Sequence, residues 1–124
     1  MLTGKQWMMV GAVLSAVSVG AGAFGAHALK EVLTPERLET FKTAVNYLQW
    51  HAIGLLAIGW LLHKAHIKTF QTAATLMFAG IVLFCGSLFA LVLTDTPLLG
   101  AITPFGGVLF IASWCMLAWG IRKL

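Results

Sequence analysis

The sequence predicts an all-α integral membrane protein, a four-helix transmembrane bundle with a short amphipathic outer helix before the second span. Apolar residues make up 60% of its 124 residues and charged residues only 10%, against about 45–50% and about 25% in soluble domains. The few charges also leave four long charge-free runs between them. This composition excludes a disordered chain, and it leaves too little polar surface to cover a soluble globule.

Each charge-free run is long enough to cross a bilayer once, because a crossing needs about 20 apolar residues. We predict spans at about residues 6–29, 44–62, 69–93 and 103–121, which together form one domain over residues 1–124. The first run is longer and more uniformly apolar than the core of a signal peptide. We therefore interpret it as a span.

Helix starts are visible at two places. Thr34-Pro35-Glu36 has the order of an N-cap, a proline in the first turn and an acidic residue at the positive end of the helix dipole. Apolar residues follow at spacings of three and four, which predicts the amphipathic outer helix: Leu38, Phe41, Val45 and Leu48. Thr103-Pro104 repeats the cap-then-proline order before the fourth span.

Lysine and arginine positions predict that both termini are cytoplasmic. With four spans, five cations fall on the side of the termini: Lys5, Lys64, Lys68, Arg122 and Lys123. The other side carries three cations, Lys30, Arg37 and Lys42, together with all four acidic residues. Because cations favour the cytoplasmic side, we expect a multi-pass membrane protein whose termini both lie in the cytoplasm. Trp7, Trp60 and Trp119 fall near the predicted inner boundary, where we expect their rings at the headgroups.

Small residues are the expected packing contacts, because apolar burial does not drive helix association inside a bilayer. The candidates are Gly11, Ser15, Gly20, Gly22 and Gly25 in span one, Gly80 and Gly86 in span three, and Gly106 and Gly107 in span four. Those of span one cover more than one face, so we expect span one to be the central helix with two neighbours. The alternative is that small residues line a solute path.

Polar residues concentrate in the outer halves of spans one and two. We expect them to meet in one cluster, with Asp95 as a possible neighbour: His27, Asn46, Tyr47, Gln49 and His51. Two interpretations stay open. The residues either hydrogen-bond one another and hold the two spans in register, or form a polar pocket for a solute, an ion or a lipid headgroup.

The sequence contains no spacing typical of a metal site, no nucleophile–base pair and no phosphate loop. We therefore predict no catalytic, cofactor-binding or metal-binding residues, and we expect Cys85 and Cys115 to be free thiols. The net charge of +4 is spread over both sides of the membrane, so no nucleic-acid partner is expected.

Three blocks together resemble a known family. They are residues 22–29 (GAFGAHAL), residues 41–52 (FKTAVNYLQWHA), and the pair 83–88 (LFCGSL) and 99–107 (LGAITPFGG). The chain resembles the family called domain of unknown function 423, which includes transmembrane protein 256 of eukaryotes. The resemblance implies a small multi-span protein of bacterial inner membranes, and it carries no catalytic residue over to this chain.

Three functional hypotheses follow. The first is a non-enzymatic protein that acts through helix packing with itself, with membrane lipids or with a partner. Packing with itself would make the protein a homo-oligomer. The second is a small transporter or channel that uses the outer polar cluster. The third, which the staggered depths of His27 and His51 disfavour, is a haem or metal protein.

Overall fold

A computed structural model describes all residues, 1–124, and contains only helices and the turns that join them. The long helices are α1 (Gly4–Leu29), α2 (Pro35–Ala65), α3 (Lys68–Thr94) and α4 (Thr103–Ile121). A 3₁₀ turn, Pro97–Ala101, precedes α4. All four helical segments are long and apolar enough to cross a membrane. The prediction of an all-α bundle of four transmembrane helices is therefore confirmed.

The amphipathic segment before the second span continues into it without a break. Thr34 caps α2 by accepting a hydrogen bond from the Arg37 amide at 3.2 Å, and Pro35 occupies the first turn. No further proline and no glycine occurs before Gly54, so nothing interrupts the helix. At 31 residues, α2 is about 46 Å long and exceeds a hydrocarbon core of about 30 Å.

The expected cap at Thr103 is wrong. Thr103 is already the first helical residue of α4, and no side chain caps this helix. Its hydroxyl instead lies 2.6 Å from the Ser87 hydroxyl of α3. Ile102, which follows the 3₁₀ turn, already has a helical backbone conformation. Thr103 is therefore not at the N-cap position, and its side chain joins α3 to α4.

Two π-helical turns interrupt α1 and α3, at Ala21–Gly25 and at Ile81–Cys85. Each adds a residue to one helical turn and rotates the residues that follow relative to an unbroken α-helix. The apolar pattern of the sequence predicted no such turns, because they change the helical phase without changing composition. The turn in α3 contains Phe84, which contacts both α2 and α4.

The central helix is α2, and the expectation that span one is central was wrong. In the most apolar 18-residue stretch of α2, half of the residues are buried, whereas in that of α1 only 11% are buried. The main core joins large side chains of α2, α3 and α4, such as Leu55, Phe70 and Phe110. Helix α1 packs along α2, and its other faces are exposed. Its small residues allow a close contact with α2 but are too short to reach a second helix.

The interface between α1 and α2 is built on small residues at seven-residue intervals: Gly4, Gly11, Ser18 and Gly25. A Cβ added to Gly11 would lie 2.7 Å from the Leu56 amide nitrogen, which is closer than real atoms approach. In the opposite direction, a Cβ on Gly59 would lie 2.7 Å from the Met8 amide nitrogen. The two backbones therefore touch, in the manner of small-residue interfaces within membranes.

Glycines also join α3 to α4. A Cβ on Gly80 would lie 2.6 Å from Phe110, and a Cβ on Gly106 would collide with the backbone of Phe84. The hydroxyl of Ser113 strengthens this interface by donating to the Ala73 carbonyl at 2.6 Å. These two helices are thus held by close backbone approach and by hydrogen bonds.

The remaining predicted packing residues have looser surroundings. Added Cβ atoms on Gly22 and Gly25 would meet only side chains, each at 3.1 Å, and one on Gly107 would be 3.8 Å from Phe84. The Ser15 hydroxyl donates to the Gly11 carbonyl within its own helix. Nothing lies within 4 Å of a Cβ placed on Gly20 or Gly86, so these two glycines do not pack against another helix of the chain.

The tryptophans near the inner boundary differ in their surroundings. Trp60 and Trp119 are exposed, and each ring is covered by a cation, Lys64 at 4.7 Å and Arg122 at 4.6 Å. Trp7, which we expected at the headgroups, is instead buried against Phe78 of α3. The small residues of α1 bring its backbone so close to the bundle that this ring is enclosed.

We predict that Gly11→Ala destabilises the bundle, whereas Gly20→Ala does not. The added methyl group must displace the α2 backbone at Gly11, at a cost of about 1–3 kcal/mol. At Gly20 it meets open space, and the loss of glycine flexibility favours the helix by up to about 1 kcal/mol.

The buried thiol of Cys85 gives the measurement, because it reacts with a fluorogenic maleimide only after unfolding. Both variants are compared in detergent in a Cys115→Ala background, which removes the exposed thiol. A Gly11→Ala melting temperature equal to that of the parent would contradict the close α1–α2 contact.

Candidate functional site

The five polar residues expected to form one cluster are divided between different surfaces. His27 lies exposed near the outer end of α1, and Asn46 and Gln49 are exposed on α2; none of these three side chains makes a hydrogen bond within the chain. Tyr47 is partly exposed, and only His51 is buried, with 8% of its surface accessible. The five residues therefore do not form one cluster between α1 and α2, although Asn46, Tyr47 and His51 line one groove.

Helical geometry explains this separation. At about 100° per residue, Tyr47 and His51 point roughly 100–160° around α2 away from Val45 and Ala52. Val45 and Ala52 face α1, where they contact Gly22 and Gly11. Tyr47 and His51 consequently face α3 and α4, away from His27. Asp95, the possible neighbour, instead binds Arg37 at 3.0 Å on the outer surface.

His51 is instead the polar member of an aromatic cluster, which comprises Tyr47, His51, Phe84, Phe110 and Trp114. The His51 ring stacks on Phe110 with centroids 3.5 Å apart and an interplanar angle of 14°. The Tyr47 ring lies nearly parallel to that of His51, at 5.8 Å and 8°, and stacks on Phe84 at 4.3 Å. Trp114 closes one side at 5.9 Å from His51.

The aromatic cluster joins three helices, which is why the sequence did not predict it. Tyr47 and His51 are one turn apart on α2 and were identified, but Phe84, Phe110 and Trp114 come from α3 and α4. The π-helical turn at Ile81–Cys85 contributes to the orientation of Phe84. The available signal was the spacing of Phe110 and Trp114, which places both rings on one face of α4.

Two open grooves adjoin the aromatic cluster, and both are lined by Tyr47, His51 and Trp114. The groove that we call the His51 groove has a volume of about 390 Å³ and is also lined by Asn46 and Trp50. The second, of about 370 Å³, extends over Phe84 and Phe110 toward the start of α4. No residue of α1 lines either groove, so a path that uses both His27 and His51 has no common cavity.

No three histidine, cysteine, aspartate or glutamate side chains lie close enough together to hold a metal ion. Cys85 is buried and Cys115 is exposed, and both are free thiols. The chemistry that the site offers is therefore that of one histidine among aromatic rings: hydrogen bonding and stacking.

A family model described as "Protein of unknown function (DUF423)" matches residues 21–107. The chain belongs to this family. It is 46% identical over 114 residues to the UPF0382 membrane protein YwdK of Bacillus subtilis, which covers 91% of this chain and 93% of that protein. The region that the family model matches contains α2 and the aromatic residues Tyr47, His51 and Phe84.

Staphylococcal relatives are similar over comparable lengths. The UPF0382 membrane protein SSP2132 of Staphylococcus saprophyticus is 43% identical, over 97% of this chain and 99% of its own. That of Staphylococcus haemolyticus, SH2409, is 45% identical over 91% and 92%. No solved structure matches the chain significantly. Relatives named as membrane proteins and four apolar helices together identify this member of DUF423 as a membrane protein.

We predict that His51→Ala destabilises the protein and that His27→Ala does not. Removing the buried ring opens a cavity beside Phe110 and ends their stacking, at a cost of about 2–4 kcal/mol. His27 is exposed and has no partner to lose. The Cys85 maleimide assay measures both variants, and equal losses of thermal stability would contradict this separation of the two histidines.

Proposed function

We propose that this protein is a non-enzymatic membrane protein that acts by packing against further copies of itself and against lipid. The observation that carries the proposal is the one-sided packing of α1. This helix is small-residue-rich on more than one face, yet within the chain only the face toward α2 is in close contact. A second small-residue face is left for a neighbour in the membrane.

That second face, the α1 outer stripe, consists of Ala12, Ala16, Gly20 and Ala23. Its members recur at spacings of four, four and three residues, so they follow one side of the helix. The three alanines are exposed, and the space beside Gly20 is open. Such spacing permits close approach of a second helix, which is the main source of helix association within lipid.

The non-enzymatic part of the proposal is supported by how the hydroxyl groups are used. The Ser18, Ser87 and Ser113 hydroxyls all donate to backbone carbonyls, at 2.6 to 3.0 Å. Ser113 bridges α4 to α3, and Ser87 additionally contacts Thr103. The Ser113 and Ser87–Thr103 contacts hold α3 and α4 together, in the way that polar side chains do in membrane bundles, and the Ser18 hydroxyl is used within its own helix.

We predict that Ala16→Cys forms a disulfide between two copies of the chain when native membranes are oxidised. The test uses a background with Cys85→Ala and Cys115→Ala, so that the introduced thiol is the only one. The matched control is Val108→Cys, an exposed position on α4 that is far from the α1 outer stripe in the fold. We expect a covalent dimer for Ala16→Cys and at least fivefold less for Val108→Cys.

A bulky substitution supplies the converse test. Ala16→Phe is expected to shift the protein from oligomer to monomer in nanodiscs, whereas Val17→Phe on a neighbouring exposed position is not, because Val17 is already large and lies outside the stripe. A wild-type protein that is monomeric in lipid at all concentrations, with equal crosslinking at residues 16 and 108, would contradict self-association.

We further propose that the protein lies in the bacterial plasma membrane with both termini in the cytoplasm. The cations of the α2–α3 turn and of the C-terminus lie at one end of the bundle, since Lys123 donates to the Thr69 hydroxyl at 2.9 Å. The N-terminus is at the same end, where Lys5 and His63 line one groove. A cation-rich end supports a cytoplasmic position beside anionic headgroups.

Thiol labelling tests this orientation. In the cysteine-free background, we expect Glu31→Cys to react with a membrane-impermeant maleimide in intact cells, because residue 31 follows α1 on the outer side. Lys68→Cys, at the start of α3, should react only after the membrane is opened. The reverse pattern would show the termini outside.

A further inference from the structure

We propose that the His51 groove binds a lipid-soluble molecule whose planar head carries a hydroxyl group, of the class of a phenol with an apolar tail. This site lies on the side of α2 opposite to α1. The proposal is therefore independent of self-association through the α1 outer stripe, and either one can fail without the other.

The hydrogen bonds of His51 determine which kind of ligand group it accepts. Its Nδ1 atom lies 2.6 Å from the Tyr47 carbonyl oxygen, one turn earlier on α2. A carbonyl oxygen only accepts hydrogen bonds, so Nδ1 carries a proton and donates. In the neutral ring Nε2 then has a free lone pair, and its partner must be a donor, such as a hydroxyl group.

The chain supplies no such donor. Nε2 of His51 has no hydrogen-bond partner in the structure. Every fully enclosed side-chain nitrogen or oxygen does have a partner, so Nε2 is not sealed inside the bundle, and the His51 side chain lines the His51 groove. Within a bilayer there is little water to satisfy an exposed acceptor, and an unpaired polar atom is costly there. A hydroxyl group of a ligand removes that cost.

The walls of the groove favour a flat molecule. Trp50 and Trp114 are 72% and 41% exposed and line it together with Tyr47. Large indole rings left uncovered beside a cavity offer stacking surface to a planar ring. Asn46, exposed and without a partner in the chain, adds an amide at the rim. The volume of about 390 Å³ lies within the range of small-molecule sites.

The bilayer supplies the remaining requirement. The groove opens on the lipid-facing surface of the bundle. Exposed apolar side chains of α2 and α4 lie beside its opening. A ligand with an apolar tail enters sideways from the hydrocarbon and leaves its tail there. A strongly charged solute gains no compensating charge, since Asn46, Tyr47, Trp50, His51 and Trp114 are the lining residues.

The test compares three probes on the full-length protein in nanodiscs: 4-hexylphenol, its methyl ether 4-hexylanisole, and 1-decanol. Side-chain ¹⁵N spectra of histidine-labelled protein follow Nε2 of His51 directly. The phenol provides both ring and donor, the ether lacks the donor, and decanol lacks the ring. We expect the phenol to shift the His51 Nε2 resonance and to bind about tenfold more tightly than the ether, as one hydrogen bond implies.

Controls within the same chain separate binding from partitioning. The resonances of His27, His63 and His66 should stay unchanged as the phenol is added. Trp114→Leu should weaken the His51 response several-fold. Trp119→Leu should leave it unchanged, because Trp119 is exposed and lines neither groove. The wild-type comparison of phenol with ether stands even if Trp114→Leu does not fold.

Three results would overturn the proposal. Equal His51 shifts with phenol and ether would show that binding does not need the hydroxyl donor. Equal binding of decanol and phenol would show that binding does not need the planar head. A response shared by all four histidines, or none at His51, would show that the groove holds no ligand of this class.

Discussion

Close contact between helix backbones is the constraint on which the rest of this structure depends. Lipid surrounds the bundle, so burial of apolar side chains gains little over leaving them in hydrocarbon, and helices must associate through van der Waals contact and hydrogen bonds. Gly11 and Gly59 bring α1 onto α2, and Gly80 and Gly106 bring α3 onto α4. Where a Cβ would collide with a neighbouring backbone, no other residue preserves the same spacing.

The asymmetric use of these contacts gives the two sides of α2 different roles. One side is occupied by the closely packed α1, and the other holds the large side chains shared with α3 and α4. His51 lies on this second side, where its own helix engages Nδ1 and the aromatic cluster fixes the ring. The His51 ring is therefore held in place, while its Nε2 atom has no hydrogen-bond partner in the chain. This arrangement suits the binding of a ligand better than a mechanism in which the His51 side chain moves.

The candidate site shows how much of a binding site a local sequence pattern can predict. Tyr47 and His51 were identified from the sequence because they are polar side chains, one turn apart, within an otherwise apolar span. His27 was assigned to the same cluster because it lies near the outer end of span one, which a short segment joins to span two. That position does not determine the direction in which a side chain points around a helix. The rotation of α2 relative to α1 is decided by the pairs of small residues and the side chains they meet, such as Gly11 with Ala52 and Gly22 with Val45, and this rotation separates the two histidines.

By itself, the sequence determined that the chain is a four-helix membrane protein and where its small and polar residues are concentrated. These properties follow from composition, from the length of apolar runs and from the position of charges, all of which are local. The tertiary structure decided that α2 and not α1 is central, that two π-helical turns rotate parts of α1 and α3, and that Phe84, Phe110 and Trp114 surround His51. These features depend on which face of each helix meets which neighbour, and in a chain that is apolar on nearly every face the hydrophobic pattern does not distinguish one face from another.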